Sequence, residues 1–214
     1  GLGIPTHFFP DAIDPEVRQA FKAAVGVLAA LGASVRDVST PDLESAWDTA
    51  QTIMNCEANV WHEPYLRNQG DDYAPQVRKF LERGRSTLAT DYIKAQQTKM
   101  QLRQDMLAAC ADIDVLLTPG ALTPPQPLGV RSVMIENREI SLLRAIVSAT
   151  SPFNLTGQPA LTIPCGRNLA GLPIALQIVG KPFDEATVLR IGHAYEIHTA
   201  WHSQFPEIET DETS

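Results

Sequence analysis

Apolar and polar positions alternate between two periods along this chain, and the changes of period mark its elements. LGIP (2–5) is a short apolar run stopped by proline, which predicts a buried strand. Asp14-Pro15 then places a capping residue before a proline at the first helical position, and Val17, Phe21, Ala24, Leu28 and Leu31 follow at helical spacing until Gly32. ASVRDVS (33–39) alternates as a strand does, so the opening predicts a strand–helix–strand unit with a sheet covered by helices. Thr40-Pro41 repeats the cap-plus-proline signal. The helix it predicts carries Trp47, Ala50, Met54, Ala58, Trp61 and Tyr65 on one stripe, ending at Pro64 to Gly70. A shorter helix is expected from Pro75 to Arg83, stopped by Gly84, and another from about Thr90, burying Tyr92, Ala95, Leu102, Met106 and Ala109.

After this helical stretch (41–111) the period changes again. VLLTP (115–119) predicts a strand, and GALTPPQPLGVRS after it predicts a long irregular loop. A helix is expected over about 139–149. The stretch SPFNLTGQPALTIPCG (151–166) then reads as a polar, turn-forming loop, Asn154 to Pro159, at the head of a strand. That strand and LPIALQIVG (172–180) are separated by a turn at RNLAG, and the second strand, apolar on both faces, is expected to be central. Asp184 is positioned to cap a last helix with Val188, Ile191 and Tyr195 facing inward, and PEIETDETS (206–214) reads as a solvated acidic tail. No internal repeat is present.

Composition narrows the function classes. The chain has 214 residues, a net charge of −8 and scattered lysines and arginines, so no basic patch is offered to nucleic acid. Three separated cysteines, Cys56, Cys110 and Cys165, give no disulfide framework or thiolate metal site and fit a reducing, cytoplasmic setting. No stretch approaches the ~20 apolar residues of a membrane span, and no signal peptide is seen at the front. The first residues, Gly-Leu-Gly-Ile, suggest a processed or excerpted chain.

Tests for chemistry mostly fail. HEPYL (62–66) opens like a zinc-protease motif but ends in leucine, and Pro64 is expected to break the helix that would align its ligands. His198 and His202 are four apart, a zinc-compatible spacing, but lack matching ligands and read as helix-end histidines. Phosphate loops of the GxxxxGK and GxGxxG types are absent, as are the serine motifs GxSxG and SxxK. Cys165 reads as a core-packing thiol, and Asp71-Asp72, Asp112 and Asp114 as caps and turn residues. Met54, Trp61, Tyr65 and His62 are expected to pack into the core, with a substrate-channel wall as the alternative.

Taken together, LGIP, DPEVRQAFKAAVGVLAALGASV, ATDYIKAQQ, DVLLTP, PFNLTGQPALTIPCG, GLPIALQIVG and ATVLRIGHAYEIHTAWH resemble, in order, the C-terminal half of the amidase signature family. The resemblance implies an α/β fold, a mixed β-sheet flanked by helices with a helical middle section, over the whole chain (41–111 largely helical, 115–200 sheet-forming). It also implies hydrolysis of a C–N amide bond by a Ser–cis-Ser–Lys triad with a backbone oxyanion hole. In the family those groups lie around a Gly-Gly-Ser-Ser-Gly-Gly-like stretch, and this chain has no Gly-Gly or Ser-Ser pair. No catalytic residue is therefore assigned here, and the chain is expected to begin after the catalytic region.

The residues the resemblance places at a substrate cleft are Thr118, Pro119, Asn154, Thr156, Gly157 and Gln158. The alternative for Asn154 and Thr156 is that they tie down their own loop. No cofactor or metal is implied. The implied partners are a small amide or urea-like substrate and the missing N-terminal half or a partner subunit, in a homo-oligomer or heterocomplex, without nucleic acid or membrane. A truncated, non-catalytic relative that binds a partner is the second reading. The substrate itself is left open, since family members act on groups from small ureas to long lipids.

Overall fold

The computed structural model describes residues 1–7 and 13–205; the acidic segment 206–214 lies outside them. β1 (Leu2–Pro5), α1 (Pro15–Ala30) and β2 (Val35–Val38) form the expected opening unit, with β1 and β2 parallel. α1 starts where the sequence says it should because the Asp14 carboxylate accepts a hydrogen bond from the Glu16 amide at 2.8 Å. Val17, Ala24 and Leu28 are buried beneath it, while Leu31, past its last turn, is exposed.

The helical middle comprises α2 (Glu44–Gln69), α3 (Pro75–Glu82) and α4 (Ala89–Ala109), with short 3-10 turns before and after α3. Three details of α2 depart from expectation. It begins after Leu43 rather than at Thr40-Pro41, because the chain runs on without helical structure until Leu43 is buried in the core. It also runs straight through Pro64 to Gln69. Proline removes one helical hydrogen bond, to the carbonyl of Val60, but both residues are exposed, so water can satisfy that carbonyl. HEPYL therefore fails as a metal motif through Leu66, not through a broken helix.

The third departure concerns the aromatic stripe. Along most of α2 the core takes Ala46 and Ile53, while Met54, Trp61 and Tyr65 sit about a quarter-turn away and are 42%, 74% and 50% exposed. His62 is half-buried and hydrogen-bonded to the Tyr73 hydroxyl at 2.9 Å rather than packed in the core.

β3 (Val115–Pro119) is buried at every position and pairs parallel with β1 and antiparallel with the strand Pro173–Gly180. The irregular segment after it ends at a hairpin that the sequence pattern did not predict, β4 (Ser132–Ile135) and β5 (Arg138–Ser141). Its two-residue turn, Glu136-Asn137, has both residues at positive φ, 46° and 68°, as a type I′ turn requires. Glutamate is a poor signal for such a turn. The expected helix over 139–149 is accordingly shorter, α5 (Leu142–Val147), and is followed by α6 (Ser151–Thr156).

β6 (Ala160–Arg167) and β7 (Pro173–Gly180) complete a five-stranded mixed sheet of order β2-β1-β3-β7-β6. β7 is paired on both edges, as its apolar sequence predicts. α7 (Glu185–Ile197), with the Asp184 carboxylate accepting from the Thr187 amide, lays Gly192 against Leu161 and Ile178. α1 brings Ala20 against Gly166 on the same face. The opposite face meets the α5–α6 segment, which is backed by α2 and α4. No helix among the described residues is long and apolar enough to cross a membrane.

Candidate functional site

Strand geometry sends Thr118 and Pro119 to opposite faces of the sheet, because successive side chains alternate. Pro119, with Leu117, lines a cavity of about 280 Å³ at the end of β1 and beside α1, where Thr6, Phe21 and Lys22 also contribute. Thr118 faces the α5–α6 side and is fully buried. There it stands directly opposite Gln177 of β7, which in turn stands opposite Thr162 of β6. The result is a polar row across three strands, between apolar residues on either side of it in β3 and β7.

Gln177 is the centre of that row and was missed in the sequence, where it reads as one polar position within an apolar strand. Its amide Nε2 donates to Thr118 Oγ1 at 2.8 Å and to the Ala149 carbonyl at 3.1 Å. The second bond ties the junction of α5 and α6 to the sheet. The neighbouring Ser148 hydroxyl is buried and has no hydrogen-bond partner among the described residues. Replacing Gln177 by leucine leaves the Ala149 carbonyl and the Thr118 hydroxyl without this partner. We expect a loss of about 1–3 kcal/mol in urea unfolding, with Thr118→Val in the same background recovering part of it.

The expected loop Asn154–Pro159 is in fact the last turn of α6 and its cap. Gly157 ends the helix at φ 69°, in the left-handed region that favours glycine, and its amide donates to the Phe153 carbonyl. Hydrogen bonding, not loop character, organises the residues around it. The Thr156 hydroxyl donates to Gln158 Oε1 at 2.9 Å, and Gln158 Nε2 donates to the Gly180 carbonyl at 3.0 Å. Thr156 and Gln158 are thus buried and bonded to their own framework, whereas Asn154 and Gly157 are exposed. Ala160, Thr162 and Pro164 of the adjacent edge strand β6 are exposed as well.

The structure therefore joins Thr118 to Gln177 and Thr156 to Gln158, leaves Asn154 and Gly157 on the surface, and places Pro119 at the cavity beside α1. Among the described residues no three of histidine, cysteine, aspartate or glutamate converge to hold a metal ion. His198 Nδ1 is engaged with the Ala194 carbonyl at 2.8 Å. Cys165 is 3% exposed, and burial pushes its thiol up to about 12, which keeps it protonated and unreactive near neutrality.

A larger groove, of about 870 Å³, runs between α2 and the α3–α4 connection. It is walled by Val60, Trp61, Tyr65 and Leu88, so the aromatic residues expected in the core form a surface concavity instead.

The Amidase family model matches residues 1–189 of the chain. An amidase of Pseudomonas putida is 36% identical over 210 residues, covering 96% of this chain and 44% of that protein. A glutamyl-tRNA(Gln) amidotransferase subunit of Chloroflexus aurantiacus is 33% identical over 231 residues, covering 97% and 46%. A crystal structure of an amidase superposes with a TM-score of 0.85 at 33% identity, over 92% of this chain and 45% of that one. The chain thus spans about half the length of the curated relatives it matches.

Proposed function

Because the chain belongs to the amidase signature family, we propose that it forms the substrate-cleft half of an amidohydrolase that cleaves a C–N amide bond. The serine pair and lysine of the triad come from a polypeptide region outside this sequence. The observation that carries the reading is the family match over residues 1–189 in a chain with no Gly-Gly or Ser-Ser pair to hold the triad.

Support comes from the corner of the fold around α6. Asn154 and Gly157 are exposed beside the outer face of β6, and β6 has a free edge. A segment packed there meets Asn154, which can donate or accept a hydrogen bond to an acyl group or to a catalytic loop. Thr118, Thr156 and Gln158 hold that corner in place through their bonds to Gln177 and to the Gly180 carbonyl. Pro119 closes the end of β3. The substrate this reading implies is an amide or urea-like molecule.

The test is reconstitution. The chain is co-expressed with the N-terminal half of the Pseudomonas putida amidase, and the pair is treated with a fluorophosphonate that traps activated serines. One adduct on the N-terminal partner, none on this chain, and amide turnover that falls on Asn154→Ala are the expected results. An adduct on the 23.4 kDa chain itself overturns the reading. A stable complex with no adduct and no turnover would instead favour the second reading, a non-catalytic relative that binds a partner through the same open edge.

A further inference from the structure

Glu57, Trp61 and Tyr65 follow one another at four-residue spacing on α2, so one helix face presents a carboxylate and then two aromatic rings. All three line the 870 Å³ groove, together with Val60, Leu88 and Tyr92. Its size lies within the range of small-molecule sites. Glu57 is the single formal charge among the residues lining it. The groove is also preformed. Gly84 sits directly against the backbone of Asn55, and Asn59 Nδ2 donates to the Leu81 carbonyl at 2.9 Å, so the wall opposite α2 is held at a set distance.

The carboxylate is oriented as well as present. The Tyr92 hydroxyl donates to Glu57 Oε1 at 2.9 Å, and Gln96 Nε2 donates both to that oxygen, at 3.3 Å, and to the Tyr92 hydroxyl, at 2.8 Å. These hydrogen bonds come from neutral donors, and among the described residues no salt bridge joins Glu57 to a cationic side chain. The same carboxylate, by accepting its hydrogen bond, holds the Tyr92 phenol above its ordinary value. Trp61 and Tyr65 are 74% and 50% exposed, open to a ligand in the groove. An apolar trough with three aromatic rings and one fixed carboxylate is complementary to a cation that carries an apolar body. Neutral ligands forgo the charge, and anions are repelled. The net charge of −8 adds a long-range attraction of the same sign.

We propose that the groove between α2 and α4 is a binding site for a small organic cation with an apolar body, of the arylalkylammonium class, its ammonium at Glu57 and its body against Trp61, Tyr65 and Leu88.

Calorimetric titration of the 214-residue chain with 4-phenylbutylammonium, 4-phenylbutanol and 4-phenylbutyrate tests this directly, since the three probes differ mainly in head-group charge. The ammonium should bind about tenfold more tightly than the alcohol, with the carboxylate weakest. Glu57→Gln should bring the ammonium down to the alcohol's affinity, while Trp61→Ala should weaken both. Each replaced side chain is at the surface of the groove, so folding of the variants is expected and is checked by circular dichroism. Equal affinity for ammonium and alcohol in the native chain, selectivity that survives Glu57→Gln, or no binding of any probe would overturn the proposal. So would a dimer that Trp61→Ala converts to monomer without any probe being bound, because the groove would then be a contact between two copies.

Discussion

Gly84→Ala destabilises the chain by about 3 kcal/mol, read as a lowered urea midpoint with an unchanged slope. A Cβ at this position would stand 2.1 Å from the Asn55 carbonyl oxygen, 2.6 Å from Asn59 Cβ and 2.8 Å from the Asn55 carbonyl carbon. Two of these three atoms belong to the backbone of α2, which cannot yield without bending the helix. The 3-10 turn Arg83–Ser86 must therefore move away from α2, which opens the large groove and disturbs the Asn59–Leu81 bond. Gly26→Ala is the control. It lies inside α1 with nothing within 4 Å of the added atom, so relief of glycine's helical disadvantage should stabilise the chain by about 0.5–1 kcal/mol. Equal effects at the two sites would show that α2 and the α3–α4 connection are not in contact.

Alkaline pH should unfold the chain in part through Cys165. Burial raises its thiol from an ordinary 9.0 to about 12, with Cys110 and Tyr195 shifted upward for the same reason. A folded-state value above the unfolded one means that the native fold favours the protonated form. The stabilisation is fully present below pH 9 and is lost as pH rises toward 12. Complete loss amounts to on the order of 4 kcal/mol, of which roughly 2.5 kcal/mol is gone by pH 11. Urea titrations at pH 8 and pH 11 measure this when the native chain is set against Cys165→Ala. The variant is less stable at pH 8 because of the cavity it creates, but it should lose less between the two pH values. An identical pH dependence in both proteins would show that the thiol is hydrated. Alkylation gives an independent reading: at pH 8 Cys56, only half-buried, should react with iodoacetamide well before Cys165.

Most local signals that rest on backbone chemistry needing no neighbour held, although Thr40-Pro41 did not start the helix it marked. Asp14-Pro15, Gly32, Gly171 and Asp184 all mark boundaries that the fold respects, because a capping carboxylate or a left-handed glycine acts within a few residues. Strongly apolar runs such as 115–119 and 173–180 could only be buried strands, and the order of motifs was enough to place the chain in the amidase signature family.

What only the tertiary structure decided is everything that depends on which neighbour a side chain meets. The stripe with Trp61 and Tyr65 looked like a core face, since periodicity reveals that a helix has an apolar side but not which side is covered; α3 and α4 pack so as to leave this one open. Pro64 looked like a stop, yet it and Val60, whose carbonyl loses its partner, both lie on the exposed side of the helix, where water is at hand. The β4–β5 hairpin was hidden because Glu136 adopts left-handed backbone that glutamate barely advertises, held by pairing on both sides of the turn. Gln177 had no meaning as one polar letter in an apolar strand until the register set it opposite Thr118 and beneath Ala149. Capping and burial are properties of a short stretch and can be read along the chain, whereas register, coverage and hydrogen-bond partnership join residues far apart in sequence and exist only once the chain has folded.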